Sequence, residues 1–271
     1  MSFKYIDGGV TAAKGFTASG IHCGIRKNRN KKDLALLVSD RPAVAAAVCT
    51  KNRVIGAPCT VTKQHLENSI ARAVICNSGI ANTCAADGIE KAKRMCELTA
   101  NAIGIVSEDV LVASTGVIGP SINITPIEKG MSSLVSALSV DGHTDAAQAI
   151  MTTDTIKKEF AVQFTLGGTA CNLGGMAKGS GMIAPNMATM LCFLTTDAAI
   201  DAALLKSALT EVVEDTFNMM SVDGDTSTND MVVLLANGAA GNSVVNSQNQ
   251  DYNIFKAALR ELCTTICRSL A

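Results

Sequence analysis

Residues 178–198 read KGSGMIAPNMATMLCFLTTDA, a stretch that joins an unusual turn to an apolar run. The run begins at Thr189, and its composition is typical of a buried β-strand. In the turn, Lys178 is followed directly by a Gly-Ser-Gly segment, and the small residue Ala188 directly precedes the threonine. A strand that only had to be buried needs neither feature. The stretch therefore predicts a buried strand and raises the question of whether its first residue has a chemical role.

Strand-like and helix-like segments alternate irregularly on both sides of this stretch. Strands are predicted at residues 33–40, 43–50, 71–79, 109–116, 158–166 and 230–238, and helices at residues 84–103, 124–139, 145–153, 201–220 and 251–271. No internal repeat or Pro/Ser-rich linker divides the chain. The irregular alternation favours an α/β fold with mixed sheets layered with helices over a doubly wound parallel sheet.

The composition is that of a globular chain with a large apolar core. Of 271 residues, 48% are hydrophobic and 17% charged, and the net charge is −1. This balance leaves no excess positive field for nucleic-acid phosphates. The densest basic run, RKNRNKK at 26–32, is interpreted as an exposed turn. No apolar run reaches the ~18 residues of a membrane span, and no signal peptide opens the sequence.

The ten cysteines are scattered, without a C-x-x-C pair. Cys263 and Cys267 are four positions apart on a predicted helix and could hold one edge of a metal site, but none of the three histidines is near them in sequence. We therefore predict buried free thiols, no metal, and a reducing, cytoplasmic compartment.

Several familiar sites are not supported by the residue spacing. The Gly-Ser-Gly at 179–181 lacks the G-x-S-x-G spacing of a nucleophile elbow. A calcium loop that began at Asp223 would end at Leu234 in place of the required glutamate. The segment SVDGDTSTND (221–230) is therefore interpreted as a hydrogen-bonded turn between a helix and a strand.

Thr189 indicates a different strategy, because a threonine hydroxyl needs a base beside it to act as a nucleophile. Cleavage of the chain before Thr189 would free an α-amino group whose pKa of about 7.7–8.0 suits that role. Ala188 is small enough to let the hydroxyl reach the preceding carbonyl. The predicted strand end at 114–116, Ser-Thr-Gly, could polarise that carbonyl. On these residues alone, an ordinary buried strand that begins with threonine is the favoured interpretation, and the self-cleaving nucleophile is the alternative.

The opening stretch resembles the processing segment of the ornithine acetyltransferases, which are the glutamate N-acetyltransferases of arginine biosynthesis. Other segments resemble motifs of that family in the family's order, and together they cover nearly the whole chain. They are GGVTAAKGFTASG (8–20), KDLAL (32–36) with RPAVA (41–45), residues 50–58, NSGIAN (77–82), ASTGVIG (113–119), MTTDT (151–155), GGMAKGSGMI (174–183) and SVDGDTSTND (221–230). One such motif would be a weak signal, whereas eight in order are specific.

The resemblance implies an ornithine acetyltransferase-like fold that uses an N-terminal nucleophile. Thr189 would be that nucleophile, released by self-cleavage between Ala188 and Thr189. Thr115 and Gly116 would form the oxyanion hole. The cleavage would divide the chain into an α-chain region, 1–188, that holds the main α/β domain, and the start of a β-chain region, 189–271.

The resemblance also implies the substrates. Lys178 would bind the substrate carboxylate, Thr189 would contact the substrate as well, and one threonine of 152–155, with Thr152 and Thr155 as the candidates, would add a contact. A ping-pong cycle would carry an acetyl group from N2-acetylornithine to glutamate without a metal or an organic cofactor. Acetyl-CoA would be a co-substrate in a bifunctional member. The expected assembly is α2β2, formed from self-cleaved chains, with no nucleic-acid or membrane partner.

The sequence departs from the family pattern at three places. Ile80 stands where the family usually has Asn, and Cys49 where it usually has Phe. The chain stops at Ala271 within a predicted helix, ahead of the family's Asp-Gly-Glu-Gly segment, and so resembles a C-terminally truncated member. Two alternatives to the acetyltransferase stay open. One is an N-terminal-threonine amidohydrolase or aminopeptidase that passes the acyl group to water, and the other is an inactive fragment.

Overall fold

The computed structural model describes residues 3–180, 190–220 and 226–271, which form a mixed sheet flanked by helices. Within these ranges the strands are β1 (Lys4–Ile6), β2 (Phe16–Ile21), β3 (Leu34–Cys49), β4 (Ile70–Ile80), β5 (Val110–Val117), β6 (Lys158–Leu166), β7 (Thr169–Lys178), β8 (Leu191–Thr196) and β9 (Met231–Ala236). The α-helices are α1 (Ala57–His65), α2 (Gly88–Ile103), α3 (Thr125–Ser136), α4 (His143–Ile150), α5 (Ala202–Glu214) and α6 (Gln250–Leu270). The predicted α/β class with a mixed sheet is confirmed.

The strand that follows the opening stretch, β8, is buried as predicted, and it lies inside the sheet. The strand order is β1-β6-β7-β8-β9-β3-β4-β5, and β2 pairs with the first part of β3. β8 runs antiparallel to β7 and parallel to β9, and β4 runs parallel to β5. The regions before and after the predicted cleavage point therefore contribute neighbouring strands to the same sheet.

β3 is one long strand, whereas the sequence predicted two strands at 33–40 and 43–50. Its register against β4 shifts between Val38 and Ala43, where the polar residues Asp40 and Arg41 and then Pro42 interrupt the apolar pattern. The prediction of two strands was wrong because periodicity cannot distinguish a strand end from an irregularity within a continuous strand.

The two halves of the sheet face each other across an inner core. That core combines residues of β3, β4 and β5 with residues of β7, β8 and β9, among them Leu37, Cys76, Leu111, Met176, Phe193 and Val233. Alternate residues of β8, such as Cys192 and Leu194, point to the opposite face and pack with α5 and α6. The outer face of β4 and β5 packs with α1, α2 and α3. The layers are therefore helix, sheet, sheet and helix.

Four helices are shorter than predicted, namely α2, α3, α4 and α5, and α1 was not predicted. α2 begins at Gly88 instead of residue 84, and α5 ends at Glu214, after which a short 3₁₀ turn spans Phe217–Met219. The ten cysteines are free thiols, as predicted, but only seven are buried; Cys23 and Cys49 are half-buried and Cys84 is exposed. Of the helices in the described part of the chain, none combines the length and apolarity needed to cross a bilayer.

Candidate functional site

The residues predicted to form an oxyanion hole lie at the end of β5. Thr115 is buried and Gly116 is exposed, and they pair with Ser78 and Gly79 of the parallel neighbour β4. Gly116 has φ +134°, and a Cβ at this position would lie 2.2 Å from the carbonyl carbon of Gly79. Both the backbone conformation and the close approach to β4 therefore require glycine.

Replacement of Gly116 by alanine is expected to destabilise the protein by about 2–5 kcal/mol, because backbone strain and a main-chain clash add together. Urea denaturation of the 271-residue chain measures the loss. Gly104→Ala is a matched control, because Gly104 also has a positive φ, +72°, but a Cβ added there would meet no atom within 4 Å. The control should cost about 1–2 kcal/mol. Equal losses in the two variants would contradict the close approach to Gly79.

Asn229 connects the end of β5 to the start of β9. Its side-chain Nδ2 donates to the carbonyl oxygen of Ser114 at 3.0 Å and to that of Ala81 at 2.6 Å. Its Oδ1 accepts a hydrogen bond from Thr83 Oγ1 at 2.5 Å. Asn229 is buried, so these contacts fix the backbone on the N-terminal side of Thr115.

Asp230, the next residue, binds the start of β8. Its Oδ1 accepts a hydrogen bond from the backbone N–H of Met190 at 3.1 Å. Met190 directly follows Thr189, so Asn229 and Asp230 together connect the predicted oxyanion strand to the backbone beside the predicted nucleophile. The sequence interpretation assigned 221–230 to a turn and missed both side chains. The available signal was a polar Asn-Asp pair immediately before an apolar strand.

The Asp230 carboxyl group is in an unusual environment. The residue is 1% exposed, and its Oδ2 has no hydrogen-bond partner among the described residues. Burial raises the pKa of Asp230 to about 8, although Ser227, the Met190 N–H and the charge of Lys178 each oppose the rise. A carboxyl group with such a pKa can gain and lose a proton near neutral pH.

Lys178 is the last residue of β7 and pairs with Leu191, the first residue of β8. It is 4% exposed. Burial lowers the pKa of its ammonium group, and the nearby Asp154, Cys76 and Asp230 act in the opposite direction. The predicted carboxylate-binding lysine therefore lies at the start of β8, in a low-dielectric position where a bound anion would be held strongly.

Asp154 connects Lys178 to the predicted substrate threonines. Its Oδ1 accepts hydrogen bonds from Lys158 Nζ at 2.7 Å and from the Gly179 N–H at 2.8 Å, and its Oδ2 accepts one from the Thr152 N–H at 3.1 Å. Burial favours a higher pKa, but the bonds from Lys158, Gly179 and Thr152 outweigh it and the pKa of Asp154 is lowered. Its carboxylate is thus a fixed structural charge.

Thr152 and Thr155 line a cavity of about 390 Å³ together with Arg26, Lys31 and Lys32. The Arg26 guanidinium donates to the Met151 carbonyl. The carboxylate of Asp154, which also lines the cavity, is paired with Lys158. Lys32 is paired with Asp145, so Arg26 and Lys31 give the cavity its excess of positive charge, which suits a carboxylate-bearing ligand.

Arg26 places this cavity beside the predicted oxyanion strand. Its Cγ lies 3.0 Å from where a Cβ on Gly79 would be, and Gly79 pairs with Gly116. The backbone N–H of Arg26 donates to buried Asp33 at 2.9 Å, which fixes the loop. Residues 27–31 are exposed as predicted, but the exposed-turn interpretation was wrong for Arg26 and Lys32, which are half-buried. Sequence reasoning missed Arg26 as a site residue.

Ala188 and Thr189 lie outside the described residues, so their roles as cleavage site and nucleophile stay predictions. Among the other predicted residues, strand pairing places Lys178 at the start of β8. Asn229 and Asp230 connect that point to Thr115 and Gly116.

The sequence profile of the ArgJ family matches residues 17–271. The chain is 45% identical to the arginine biosynthesis bifunctional protein ArgJ of Bacillus licheniformis, over 100% of this chain and 66% of that protein. It is 47% identical to the protein of the same name from Symbiobacterium thermophilum, over 99% of this chain and 67% of that protein. The chain thus spans about two thirds of the length of these relatives.

Solved structures give the same relationship. A crystal structure of arginine biosynthesis bifunctional protein ArgJ from Bacillus halodurans matches with a TM-score of 0.65 and 39% identity, covering 68% of this chain and 97% of that one. Ornithine acetyltransferase from Mycobacterium tuberculosis, complexed with ornithine, matches with a TM-score of 0.62 and 35% identity, covering 68% of this chain and 98% of that one.

A more distant likeness concerns the fold alone. L-aminopeptidase D-Ala-esterase/amidase from Ochrobactrum anthropi, described as a variant of the Ntn hydrolase fold, matches with a TM-score of 0.56 at 10% identity, covering 96% of this chain and 85% of that one. This agrees with the layered helix-sheet-sheet-helix arrangement and with the predicted fold. The profile match, and the 45–47% identity over 99–100% of this chain, establish that the chain belongs to the ArgJ family.

Proposed function

We propose that the protein transfers an acetyl group from N2-acetylornithine to glutamate in arginine biosynthesis, through an acetyl-Thr189 intermediate formed after self-cleavage between Ala188 and Thr189. The observation that supports the proposal is that Lys178 and the strand of Thr115 and Gly116 are both connected to the start of β8. Lys178 pairs with the first residue of β8, and the Asn229–Asp230 pair joins the start of β8 to the strand of Thr115 and Gly116.

The relatives support the reaction class. Two are named arginine biosynthesis bifunctional proteins, and one solved neighbour is an ornithine acetyltransferase in complex with ornithine. The lengths of the solved chains support the cleavage. Each aligns over 97% or 98% of its own length with 68% of this chain, and 68% of 271 residues is about 184 residues. That length is close to the 188 residues that precede the predicted cleavage point.

In the proposed cycle the freed α-amino group of Thr189 accepts the hydroxyl proton as the oxygen attacks the acetyl carbonyl. The Thr115 hydroxyl and a backbone N–H at Gly116 stabilise the oxyanion. Lys178 binds the amino-acid carboxylate, and the cationic cavity at Thr152 and Thr155 holds the rest of the substrate. Ornithine leaves, and the amine of glutamate then takes the acetyl group. The cycle requires no metal or organic cofactor, and acetyl-CoA is a second donor to test.

The protein is proposed to act in the cytoplasm as an α2β2 assembly of self-cleaved chains. In this arrangement neither nucleic acid nor a membrane is a partner. Since β7 and β8 are paired along the length of β8, the two products of cleavage would remain associated through the sheet.

The test combines intact-mass analysis with an acetyl-transfer assay of the 271-residue chain. The proposal predicts two fragments, divided between Ala188 and Thr189, and the appearance of N-acetylglutamate when N2-acetylornithine and glutamate are supplied. Release of free acetate without transfer would identify an amidohydrolase instead. Fragments without either reaction would indicate a processed but inactive chain, and an uncut, inactive chain would contradict the proposal.

Replacement of Lys178 by methionine is expected to lower kcat/KM for N2-acetylornithine by about 10- to 100-fold, because a charged hydrogen bond to the carboxylate is lost. The folded state should not be weakened, because methionine fills the volume and removes a desolvated charge. Steady-state kinetics measure the loss of kcat/KM, and urea denaturation measures the free energy of unfolding. Lys129→Met, at an exposed position on α3, is the control and should behave as the unaltered chain. Equal kinetics in both variants would contradict the role of Lys178.

A further inference from the structure

We propose that Arg26 selects the acetyl acceptor, because its guanidinium binds the side-chain carboxylate of glutamate in the cavity beside Thr152. This inference rests on the function proposed above and assigns a residue to one half of the cycle. The two substrates differ in the part that must be recognised. N2-acetylornithine carries a side-chain ammonium group, whereas glutamate carries a second carboxylate, so a cation at this point favours the acceptor alone.

The position of Arg26 is the first observation. It lines the cavity of about 390 Å³ together with Thr152 and Thr155, and its guanidinium donates to the carbonyl oxygen of Met151. Its backbone N–H donates to buried Asp33 at 2.9 Å, which anchors the loop that carries the side chain. Arg26 is therefore held against the segment of the predicted substrate threonines, where a ligand in the cavity would meet it.

The hydrogen-bonding capacity of Arg26 is the second observation. A guanidinium carries several N–H donors in a planar fork that matches a carboxylate, and one of its nitrogens donates to the Met151 carbonyl. The carboxylates that act on its charge are Asp33 and Asp154, and both have other partners. Asp33 accepts backbone N–H groups of the loop that precedes it, and Asp154 pairs with Lys158 at 2.7 Å. The fork of Arg26 can therefore bind the carboxylate of a ligand.

The other cations that line the cavity are less suited to this role. Lys31 is exposed, so water screens its charge, and Lys32 is paired with Asp145. Arg26 is half-buried, and burial lowers the pKa of its guanidinium, but an arginine stays ionised near neutral pH. A charge that is partly shielded from water interacts more strongly with a ligand. Arg26 is therefore the cation that a bound carboxylate would meet at the greatest gain.

A second cation lies close by, as the recognition of a dicarboxylate requires. Lys178 and Arg26 both lie near the carboxylate of Asp154 and near buried Cys76. Asp154 accepts the N–H of Gly179, the residue after Lys178, at 2.8 Å, and it also lines the cavity of Arg26. In the proposed cycle Lys178 binds the α-carboxylate of the amino acid. Arg26 supplies the matching charge for the second carboxylate of glutamate.

Arg26→Gln tests the inference, because glutamine is neutral and its amide can still donate to the Met151 carbonyl. The value of kcat/KM for glutamate should fall by about 10- to 100-fold, since a charged hydrogen bond is lost. The value for N2-acetylornithine should not fall, because the variant removes a cation that repels the side-chain ammonium group. A role confined to holding Met151 would lower both values, so an equal fall for both substrates overturns the inference.

The preference for glutamate over glutamine as acetyl acceptor provides a second readout. Glutamine has an amide where glutamate has its side-chain carboxylate, so the ratio of their kcat/KM values isolates this one contact. In Arg26→Gln the ratio should fall by about 10- to 100-fold. Arg26→Lys keeps the charge but not the planar fork, and should retain part of the ratio. An unchanged ratio in Arg26→Gln overturns the inference.

Arg29→Gln is the matched control, because Arg29 is an exposed arginine of the same loop. It should leave both kcat/KM values and the preference for glutamate unchanged. Lys31→Gln removes the exposed cation that lines the cavity and should retain most of the preference. If Arg26→Gln does not fold, Lys31→Gln decides. A retained preference supports Arg26 as the selecting cation, and a lost preference overturns it.

The same assays separate this inference from the proposed function. If acetyl transfer proceeds and Arg26→Gln behaves as the unaltered chain, the inference is overturned while the proposed function stands. If the chain transfers no acetyl group, isothermal titration calorimetry with N-acetylglutamate and N-acetylglutamine decides instead. The unaltered chain should bind N-acetylglutamate more tightly, and Arg26→Gln should lose this difference. Equal binding of the two by the unaltered chain, binding of neither, or a difference that persists in Arg26→Gln overturns the inference.

Discussion

Thr189→Ala is expected to leave the chain as a single species of 28.0 kDa that transfers no acetyl group. The hydroxyl is the atom that forms both the ester of the cleavage and the acetyl ester of the transfer, so its removal abolishes both reactions. Intact-mass analysis and the N-acetylglutamate assay, run on the same preparation, measure the two losses together.

Thr189→Ser is the matched control for this experiment. Serine keeps the hydroxyl and loses only a methyl group, so the serine variant should still cut and should retain part of the transfer activity. Fragments in the alanine variant, divided at residue 188, would contradict self-cleavage and would point to an external protease.

Asp154→Asn is expected to destabilise the protein by about 3–5 kcal/mol, because it leaves the buried Lys158 ammonium without its partner. The Asp154 carboxylate also accepts the N–H groups of Gly179 and Thr152, and the amide NH₂ of asparagine would oppose at least one of these donors. Urea denaturation at pH 7 measures this loss in the free energy of unfolding. The substitution should also weaken substrate binding, because it frees the segments on both sides of the site.

Asp145→Asn is the control for Asp154. Asp145 pairs with Lys32 at the surface, and its side chain is 52% exposed. Such exposed pairs are worth about 0–1 kcal/mol. A loss for Asp154→Asn as small as that of the control would show that the Asp154–Lys158 pair is not a buried charge pair.

The pH dependence of Asp154 has the opposite sign to that of Asp230. The pKa of Asp154 is lowered on folding, so its contribution is complete above its ordinary pKa of 3.8 and is lost as the pH falls through the lowered value. The pKa of Asp230 is raised to about 8, so its contribution is complete below pH 3.8 and is lost as the pH rises through 8. Stability should therefore decline both in acid and toward pH 8.

The two aspartates show which parts of the site could be predicted from the sequence and which could not. Thr152, Thr155 and Lys178 were predicted from motifs, and the structure places them on either side of Asp154. Asp154 itself stood inside a quoted motif without a role, because nothing in a linear sequence indicates that one carboxylate accepts hydrogen bonds from residues 2 and 25 positions away. Arg26 was missed for a similar reason, since basic runs on loops are usually solvated.

The sequence by itself determined the α/β class, most strand positions and the family, because hydrophobic periodicity and ordered motifs are local properties of the chain. The role of Thr189 as nucleophile stays a prediction. Tertiary structure alone decided the continuity of β3, the facing of the two sheet halves, and the meeting of Asn229 and Asp230 with the strand of Thr115 and the start of β8. These features depend on pairing between residues far apart in sequence, and the burial that perturbs Asp230 and Lys178 arises only when the layers close around them.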